Sequence, residues 1–422
     1  MRILTTTLCY PRPDEPDQGI FVQRRALALA GLPAGATDSA DPRVGIQVVS
    51  PILWCPLLRR ALRASSQPGP LPVVYPKMLS VPVVGWATDG LAFARALRRT
   101  IRSMGPDHGI DLIDAHFEFP DGVGAWLAGR RLGLPVVVTV RGKIISLSRR
   151  AIRRLQIRAM LRGVDARIAV SESLAAQVRR VAGSDLHVDV VPNGVDAGVF
   201  HPVERGRARS ILGWDSSARY VLAVGHLQRL KGFDRIVSVM PTVREALGDV
   251  RLVLAGSRRG ERRFRRRLQR LIDDVNAHRP LPGRGPTVRF VGPVDSPQLN
   301  LMYNAADLLV NASRHEGWNN VISEALAAGT PVVATDVGGN PEQISSPVVG
   351  TLVPEGDQDA LTRAIIGALC RGWSCAGIAA HGACRTWTDV AREVRAVFIR
   401  VIETRRAGDL CPRIEPALEV AP

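Results

Sequence analysis

Short valine-rich runs alternate with helix-period stretches from one end of this 422-residue chain to the other. Strands buried on both faces read as continuous apolar runs, so the alternation predicts parallel sheets joined by helical crossovers. In the first half, strands are expected at Arg2–Leu8, Val44–Ser50, Leu112–His116, Val136–Val140, Ala166–Val170 and Val188–Val191. Helical spacing marks Phe21–Ala30, Gly85–Arg102, Asp121–Leu132, Ser148–Leu161 and Ser171–Val181. Residues 32–42 and the proline-rich stretch 51–80 read as loops. The strand pattern restarts at Tyr220–Val224 and continues through Arg251–Ala255, Val288–Val291, Leu308–Val310, Val332–Thr335 and Gly350–Val353. The expected architecture is α/β, with two Rossmann-like, doubly wound domains at residues 1–192 and 203–386 and a turn-rich linker at 193–202. A helix at 387–405, crossing back to the first domain, and a loose tail at 406–422 complete the chain. Ligands of such sheets bind beyond the carboxyl ends of the strands, so the expected site is the cleft the two domains face.

Composition narrows the class. Hydrophobic residues make up 46% and charged residues 23%, which is globular. No apolar run reaches the ~18–20 residues needed to span a bilayer. The amino-terminal stretch Met1–Leu8 is too short and threonine-rich for a secretory signal, so a cytoplasmic protein is expected. Six scattered cysteines lack zinc spacing.

Charge adds a preference for partners. Basic residues number 56 against 39 acidic, a net charge of +17, and only three of the basic residues are lysines. Such an excess favours phosphates, anionic lipid headgroups or nucleic acid. Arg149–Arg162 places Ile152, Leu155, Ala159 and Met160 at helical spacing among arginines. That pattern fits a helix lying on an anionic membrane surface, or equally a solvated helix packed on its own domain. Arg258–Arg270 is denser in arginine and reads as less amphipathic. Aromatic content of 5% leaves few stacking platforms and no nucleic-acid-binding module stands out, so no nucleic-acid partner is expected.

The most informative stretch is Glu316-Gly317-Trp318-Asn319-Asn320-Val321-Ile322-Ser323-Glu324. Asn319 or Asn320 can cap a helix whose end is marked by Gly329 and Pro331. A helix start holds phosphate through unpaired N–H groups. Helical rise separates the two glutamates by up to roughly 12 Å, near the length of a sugar–diphosphate–ribose unit. Lys231, following the strand Tyr220–Val224, can neutralise charge building on a departing phosphate. Gly19 suits a loop whose backbone approaches a diphosphate, where a Cβ would collide.

With Ala-Gly-Thr-Pro-Val-Val-Ala-Thr at 328–335, this stretch resembles the signature of retaining, GT-B-fold glycosyltransferases of family 4. Val191–Asp196 is similar to the family's interdomain linker, Val224–Gly232 to the loop opening its second domain, and Gly19–Val22 to its first-domain loop. The resemblance implies hexosyl transfer from a UDP- or GDP-sugar to a glycan or lipid-linked acceptor, with retention of configuration and without a metal cofactor. It implies catalytic roles for His116, Lys231 and Glu316. Donor binding would add Gly19, His226, Arg229, Gly317, Trp318, Asn319, Asn320, Val321 and Glu324. Arg141 and Lys143 are acceptor-side candidates.

Two departures stand out. The family often carries arginine where His226 stands, so Arg229 or a protonated His226 would supply the second positive charge. After Arg141-Gly142 it commonly has small and acidic residues, where Lys143 and Ile144 stand here. Other readings keep the fold with donor binding alone, or make the chain a UDP-sugar epimerase; a nucleic-acid-binding protein is the remote one. Envelope or exopolysaccharide synthesis at the inner face of the plasma membrane is the expected setting.

Overall fold

The computed structural model describes residues 1–12, 14–16, 18–32, 44–55, 70–81, 85–105, 108–258, 260–277 and 285–408. The chain divides into two compact units: Met1–Pro192 together with the segment from Trp387, and Asn193–Thr386.

In the first unit the strands are β1 (Arg2–Thr6), β2 (Gly45–Val49), β3 (Ile52–Trp54), β4 (Val73–Val74), β5 (Lys77–Leu79), β6 (Leu112–His116), β7 (Val136–Val140), β8 (Ala166–Ala169) and β9 (Asp189–Val190). Seven form one sheet in the order β4-β2-β1-β6-β7-β8-β9, with parallel pairing throughout. Every residue of β6 and β7 is buried; β7 is valine but for Thr139, whereas β6 buries the polar Asp114 and His116 along with its apolar residues. The strand order reverses between β1 and β6.

The helix Trp387–Arg406 belongs to this unit. Trp387, Val390, Val394, Val397, Phe398 and Val401 recur at helical spacing and pack into the same core as Val22, Ala26 and Leu29 of the helix Ile20–Ala30. Arg405 and Arg400 add ion pairs to Asp165 and Asp189 at 2.7 and 2.6 Å.

The second unit holds β10 (Arg219–Val224), β11 (Val250–Ala255), β12 (Val288–Gly292), β13 (Leu308–Asn311), β14 (Val332–Thr335) and β15 (Gly350–Val353). They form one parallel sheet in the order β12-β11-β10-β13-β14-β15, reversing between β10 and β13. Separate apolar clusters pack in this unit: Ile236, Met240 and Leu268 belong to one, Met302, Tyr303 and Leu326 to another.

Several expectations are corrected. Part of the supposed loop 51–80 is strand, since β3 and β5 pair in parallel and β4 extends the main sheet. These strands of two or three residues are too short to carry a period. The supposed linker 193–202 lies within the second unit, where Val195 bridges Thr386 and Phe200 is buried 6.0 Å from the Tyr303 ring. The expected helix 148–161 is the helix Ala151–Gly163, and a short helix, Ile144–Leu147, precedes it where none was expected. The longer helix buries Ile157, Met160 and Leu161 and exposes Ile152 and Leu155, so the four apolar positions read as one face do not act as one. The basic run is strongly amphipathic after all: the helix Arg262–Ala277 buries Phe264, Leu268, Ile272 and Val275. The expected loop at 33–42, the middle of the proline-rich stretch at 56–69 and the tail at 409–422 lie outside the described residues.

Candidate functional site

Open parallel sheets bind ligands where strand order reverses, because the loops diverge there. In the second unit that point lies between β10 and β13, and the charged residues of the two following loops meet. Lys231 ends the short turn Arg229–Lys231 after β10, and Ser313 and Glu316 follow β13. Lys231 Nζ donates to Glu316 Oε1 at 2.7 Å. Ser313 Oγ donates to the same oxygen at 2.6 Å and Asn319 Nδ2 at 3.4 Å. These donors fix the carboxylate rotamer through one oxygen, and none of them reaches Oε2.

A second layer holds the first. Thr335 Oγ1, at the end of β14, donates to the Ser313 carbonyl at 2.6 Å. Gln343 Nε2 donates to the Asn319 carbonyl and to Ser323 Oγ, each at 3.0 Å. Gly338 has a left-handed φ of 56° and lies so close that a Cβ would sit 1.9 Å from the Glu316 carbonyl oxygen. The Gly338-Gly339 loop therefore packs against the Glu316 backbone.

The helix Asn320–Ala327 begins at Asn319, but no side chain caps it. The Asn319 amide, expected as a cap, turns to Glu316 instead. The first-turn N–H groups keep the character of an anion site. Only the second half of the interval from Glu316 to Glu324 is helical, so the 12 Å estimate by helical rise does not apply. Glu324 Oε2 accepts from the buried Tyr303 hydroxyl at 3.1 Å, and Asn320 Oδ1 from Asn193 Nδ2 at 2.9 Å. Gly317 is buried and Val321 half-buried. Trp318 Nε1 is buried without a hydrogen-bond partner, a cost of about 1–3 kcal/mol that a bound acceptor atom would relieve. His226 lies on the β10 loop with Nδ1 2.6 Å from Ser257 Oγ. Arg229 is exposed, and its carbonyl accepts from the Arg314 guanidinium.

The first unit has its own polar constellation at the reversal between β1 and β6. His116 is fully buried at the end of β6. Arg141 Nε donates to His116 Nδ1 at 2.9 Å, so the proton sits on Nε2, which lies 3.2 Å from Asp114 Oδ2. Arg25 Nη2 donates to both Asp114 oxygens at 2.5 Å and Nη1 to Thr139 Oγ1 at 2.8 Å. Burial, aided by the Arg25 charge, pushes His116 down to about 3. Burial works the other way on Asp114, but Arg25 and His116 outweigh it and hold that carboxyl below its usual range. His116 is thus a neutral ring with both nitrogens engaged. Through Nδ1 the ring also holds Arg141, whose guanidinium lies 4.8 Å over the Phe21 ring.

Lys143 is exposed, with Nζ 5.3 Å over the ring of Phe117, a residue held at a left-handed φ of 71°. Beneath it lie two buried carboxyls absent from the sequence-based set. Asp121 Oδ1 accepts from the Leu8 amide at 2.5 Å. Neither oxygen of Glu118 closes a hydrogen bond, although the amides of Glu118 and Arg141 lean toward it. Burial pushes Glu118 up to about 7 and Asp121 up to about 6. Gly19 is explained within its own unit: its φ is 73° and a Cβ would sit 2.0 Å from the Cys9 carbonyl oxygen.

Arg25 and Asp114 were also missed. Arg25 had a signal: it falls with Val22, Ala26 and Leu29 on the buried face of its helix, where an arginine demands a partner. Ser313 and Thr335 carried none. Among the described residues no cluster of three or more His, Cys, Asp or Glu is placed to hold a metal ion, and no helix is long and apolar enough to cross a membrane.

Two doubly wound parallel sheets, one with a lysine–glutamate pair at its reversal point, define the GT-B class. Residues 49–199 match the family described as Glycosyltransferase Family 4, and residues 218–371 match Glycosyl transferases group 1. The D-inositol 3-phosphate glycosyltransferase of Mycobacterium marinum is 30% identical over 373 residues, 82% of this chain and 77% of that protein. Its Segniliparus rotundus counterpart is 32% identical over 254 residues, 57% of this chain and 54% of that protein, so this match spans about half of the relative's length. The chain belongs to glycosyltransferase family 4.

Solved structures agree in fold. Sucrose-phosphate synthase from Thermosynechococcus elongatus superposes with a TM-score of 0.70 at 22% identity, covering 97% of this chain and 98% of that one. The Anabaena protein HepE, solved with UDP and glucose, gives 0.66 at 17% identity, covering 96% and 100%.

Proposed function

We propose that this protein transfers a hexosyl group from a UDP- or GDP-sugar to a glycan or lipid-linked acceptor, with retention of configuration and without a metal cofactor. The observation that carries the reading is the convergence of Lys231, Ser313 and Asn319 on one oxygen of Glu316 beside an uncapped helix start. The second Glu316 oxygen orients a sugar hydroxyl. The diphosphate draws on Lys231 and on the first-turn amides of the helix Asn320–Ala327. Glu324, steadied by Tyr303, accepts from ribose hydroxyls. His226 and Arg229 are assigned to the diphosphate on the strength of their loop.

In the reaction the bond from the anomeric carbon to the leaving phosphate oxygen breaks while the bond to the acceptor oxygen forms on the same face. The acceptor's proton passes to the departing phosphate. Lys231 stabilises the negative charge that grows there, which is where preorganised electrostatics contribute most. His116 and Arg141 serve from the first unit, His116 by fixing the Arg141 guanidinium and Arg141, with Lys143, on the acceptor side. The related inositol-phosphate enzymes make D-inositol 3-phosphate the first acceptor to try.

The membrane part of the reading rests on exposed apolar and cationic residues of two successive helices and the turn between them. Ile145, Ile152 and Leu155 are 41, 50 and 63% exposed beside exposed Arg149, Arg150 and Arg154. Exposed residues of this kind suit the cytoplasmic surface of an anionic membrane, where envelope or exopolysaccharide precursors are assembled.

The test is a thermal-shift screen of UDP-, GDP-, ADP- and dTDP-sugars, followed by transfer assays with Glu316→Ala and Lys231→Ala. Stabilisation by one donor and loss of transfer in both variants is expected. Unchanged turnover in both would end the proposal, and turnover without any acceptor would make the chain an epimerase.

A further inference from the structure

The arginine-rich helix Arg262–Ala277 violates the rule for helix starts. Its first turn carries no acidic residue, and arginines stand at 262, 263, 265, 266 and 267. Cations there oppose the positive end of the helix dipole. Glu261, one residue before the helix, sets one carboxylate against these five arginines and leaves the start strongly cationic. Here the missing charge is an anion.

A cavity of about 290 Å³ opens at that helix start. Arg258, Arg262, Arg265 and Arg266 line it, and its apolar wall is made by Leu268, Ile272 and Phe290. Arg258 stacks 5.1 Å over the Phe290 ring, and Arg265 Nε is buried without a hydrogen-bond partner. None of Lys231, Ser313 and Glu316 lines this cavity. A purely inorganic anion would leave the apolar wall facing water, and a neutral apolar molecule would leave the guanidiniums uncompensated.

We infer that this cavity binds an amphiphilic phosphate, a phosphate ester whose oxygens meet Arg262, Arg265 and Arg266 while its apolar body packs on Leu268, Ile272 and Phe290. The inference goes beyond the transferase reading and stands without it. A phospholipid headgroup region and a free phosphorylated metabolite share this chemistry.

Titration calorimetry of the full chain with hexyl phosphate tests it. One-site binding is expected, at least about tenfold tighter than inorganic phosphate because the alkyl body is buried. The double variant Arg265→Gln, Arg266→Gln should weaken hexyl phosphate at least about tenfold by removing charge-assisted bonds. Phe290→Ala should weaken hexyl phosphate and leave inorganic phosphate unchanged. Melting curves confirm that each variant is folded. Sedimentation with phosphatidylglycerol vesicles, in an Ile152→Glu, Leu155→Glu background, separates the sources. Binding that needs Arg265 and Arg266 points to lipid, and its absence alongside hexyl phosphate binding points to a soluble ligand. Either result supports the site. Equal affinity for hexyl and inorganic phosphate, full affinity in the arginine double variant, or loss of binding in Lys231→Ala overturns it. So does displacement by a mixed-sequence oligonucleotide that binds more tightly, which would make the partner a polynucleotide.

Discussion

Replacing Lys231 by alanine separates what the ammonium does for the fold from what it does for the reaction. Its Nζ lies 2.7 Å from Glu316 Oε1, with the lysine side chain 22% and the glutamate side chain 9% exposed. Two unit charges near a protein surface attract by about 4 kcal/mol at ~4 Å, before the cost of desolvating them. Water reaches the lysine, and Ser313 and Asn319 still donate to the same oxygen after its removal. The net loss of stability should therefore be about 1–2 kcal/mol, a fall in Tm of about 2–8 °C for a unit of this size.

The kinetic effect should be much larger. If the ammonium neutralises the leaving phosphate, its loss resembles removing one preorganised donor, about 10²–10³-fold in kcat. Initial rates of nucleotide release at saturating donor, with donor affinity measured separately by calorimetry, distinguish the two. The expected pattern is a large fall in kcat with a smaller change in affinity. Lys231→Arg should recover part of the rate, since it keeps the charge but cannot put a single compact donor on Oε1. A Lys231→Ala enzyme that turns over within a few-fold of the parent would refute the electrostatic role.

Other perturbations probe the supports. Gly338→Ala forces a Cβ to within 1.9 Å of the Glu316 carbonyl oxygen; it should cost at least ~2 kcal/mol in a urea melt and most of the transfer rate. Arg25→Leu leaves Asp114 buried without its ion pair and should destabilise the protein by about 3–5 kcal/mol, read as a shift in the urea midpoint. The Ile152→Glu, Leu155→Glu variant should lose most of its sedimentation with phosphatidylglycerol vesicles while keeping its rate on a soluble acceptor. Glu118 binds its proton more tightly in the folded protein, up to about 7, than in the unfolded chain. Its contribution therefore falls as pH rises from the usual carboxylate range through 7, by a ceiling of about 3 kcal/mol. Glu118→Gln should raise Tm at pH 8 and leave it nearly unchanged at pH 4, and equal shifts at both values would remove that account.

Legibility in the sequence followed burial. β7 and β14 were readable to the residue because strands covered on both faces leave valine-rich runs; β6, which buries Asp114 and His116, and the edge strand β15 were readable from shorter apolar stretches. β3, β4 and β5 were not, because pairings this brief leave no period to read. The Arg262–Ala277 helix was misjudged for a related reason: the window ended at Arg270, before Ile272 and Val275 could complete the buried stripe begun by Phe264 and Leu268. At the site, motif spacing located Lys231 and Glu316, but spacing says nothing about which neighbour a side chain turns to. The Asn319 amide illustrates the point. Helix-cap chemistry and carboxylate binding compete for the same group, and only the placement of Ser313 and Lys231 around Glu316 decides for the carboxylate. The same competition explains His116. Its position at a strand end suggested a catalytic role; the structure adds that Arg141, from beyond β7, donates to Nδ1, that Asp114 on the same strand faces Nε2, and that Arg25 Nη2 lies 2.9 Å from that nitrogen. A residue's position in one motif shows where chemistry can happen. Whether it touches the substrate depends on partners distant in the chain, and the one advance sign of such a partner here was an arginine on the apolar face of a helix.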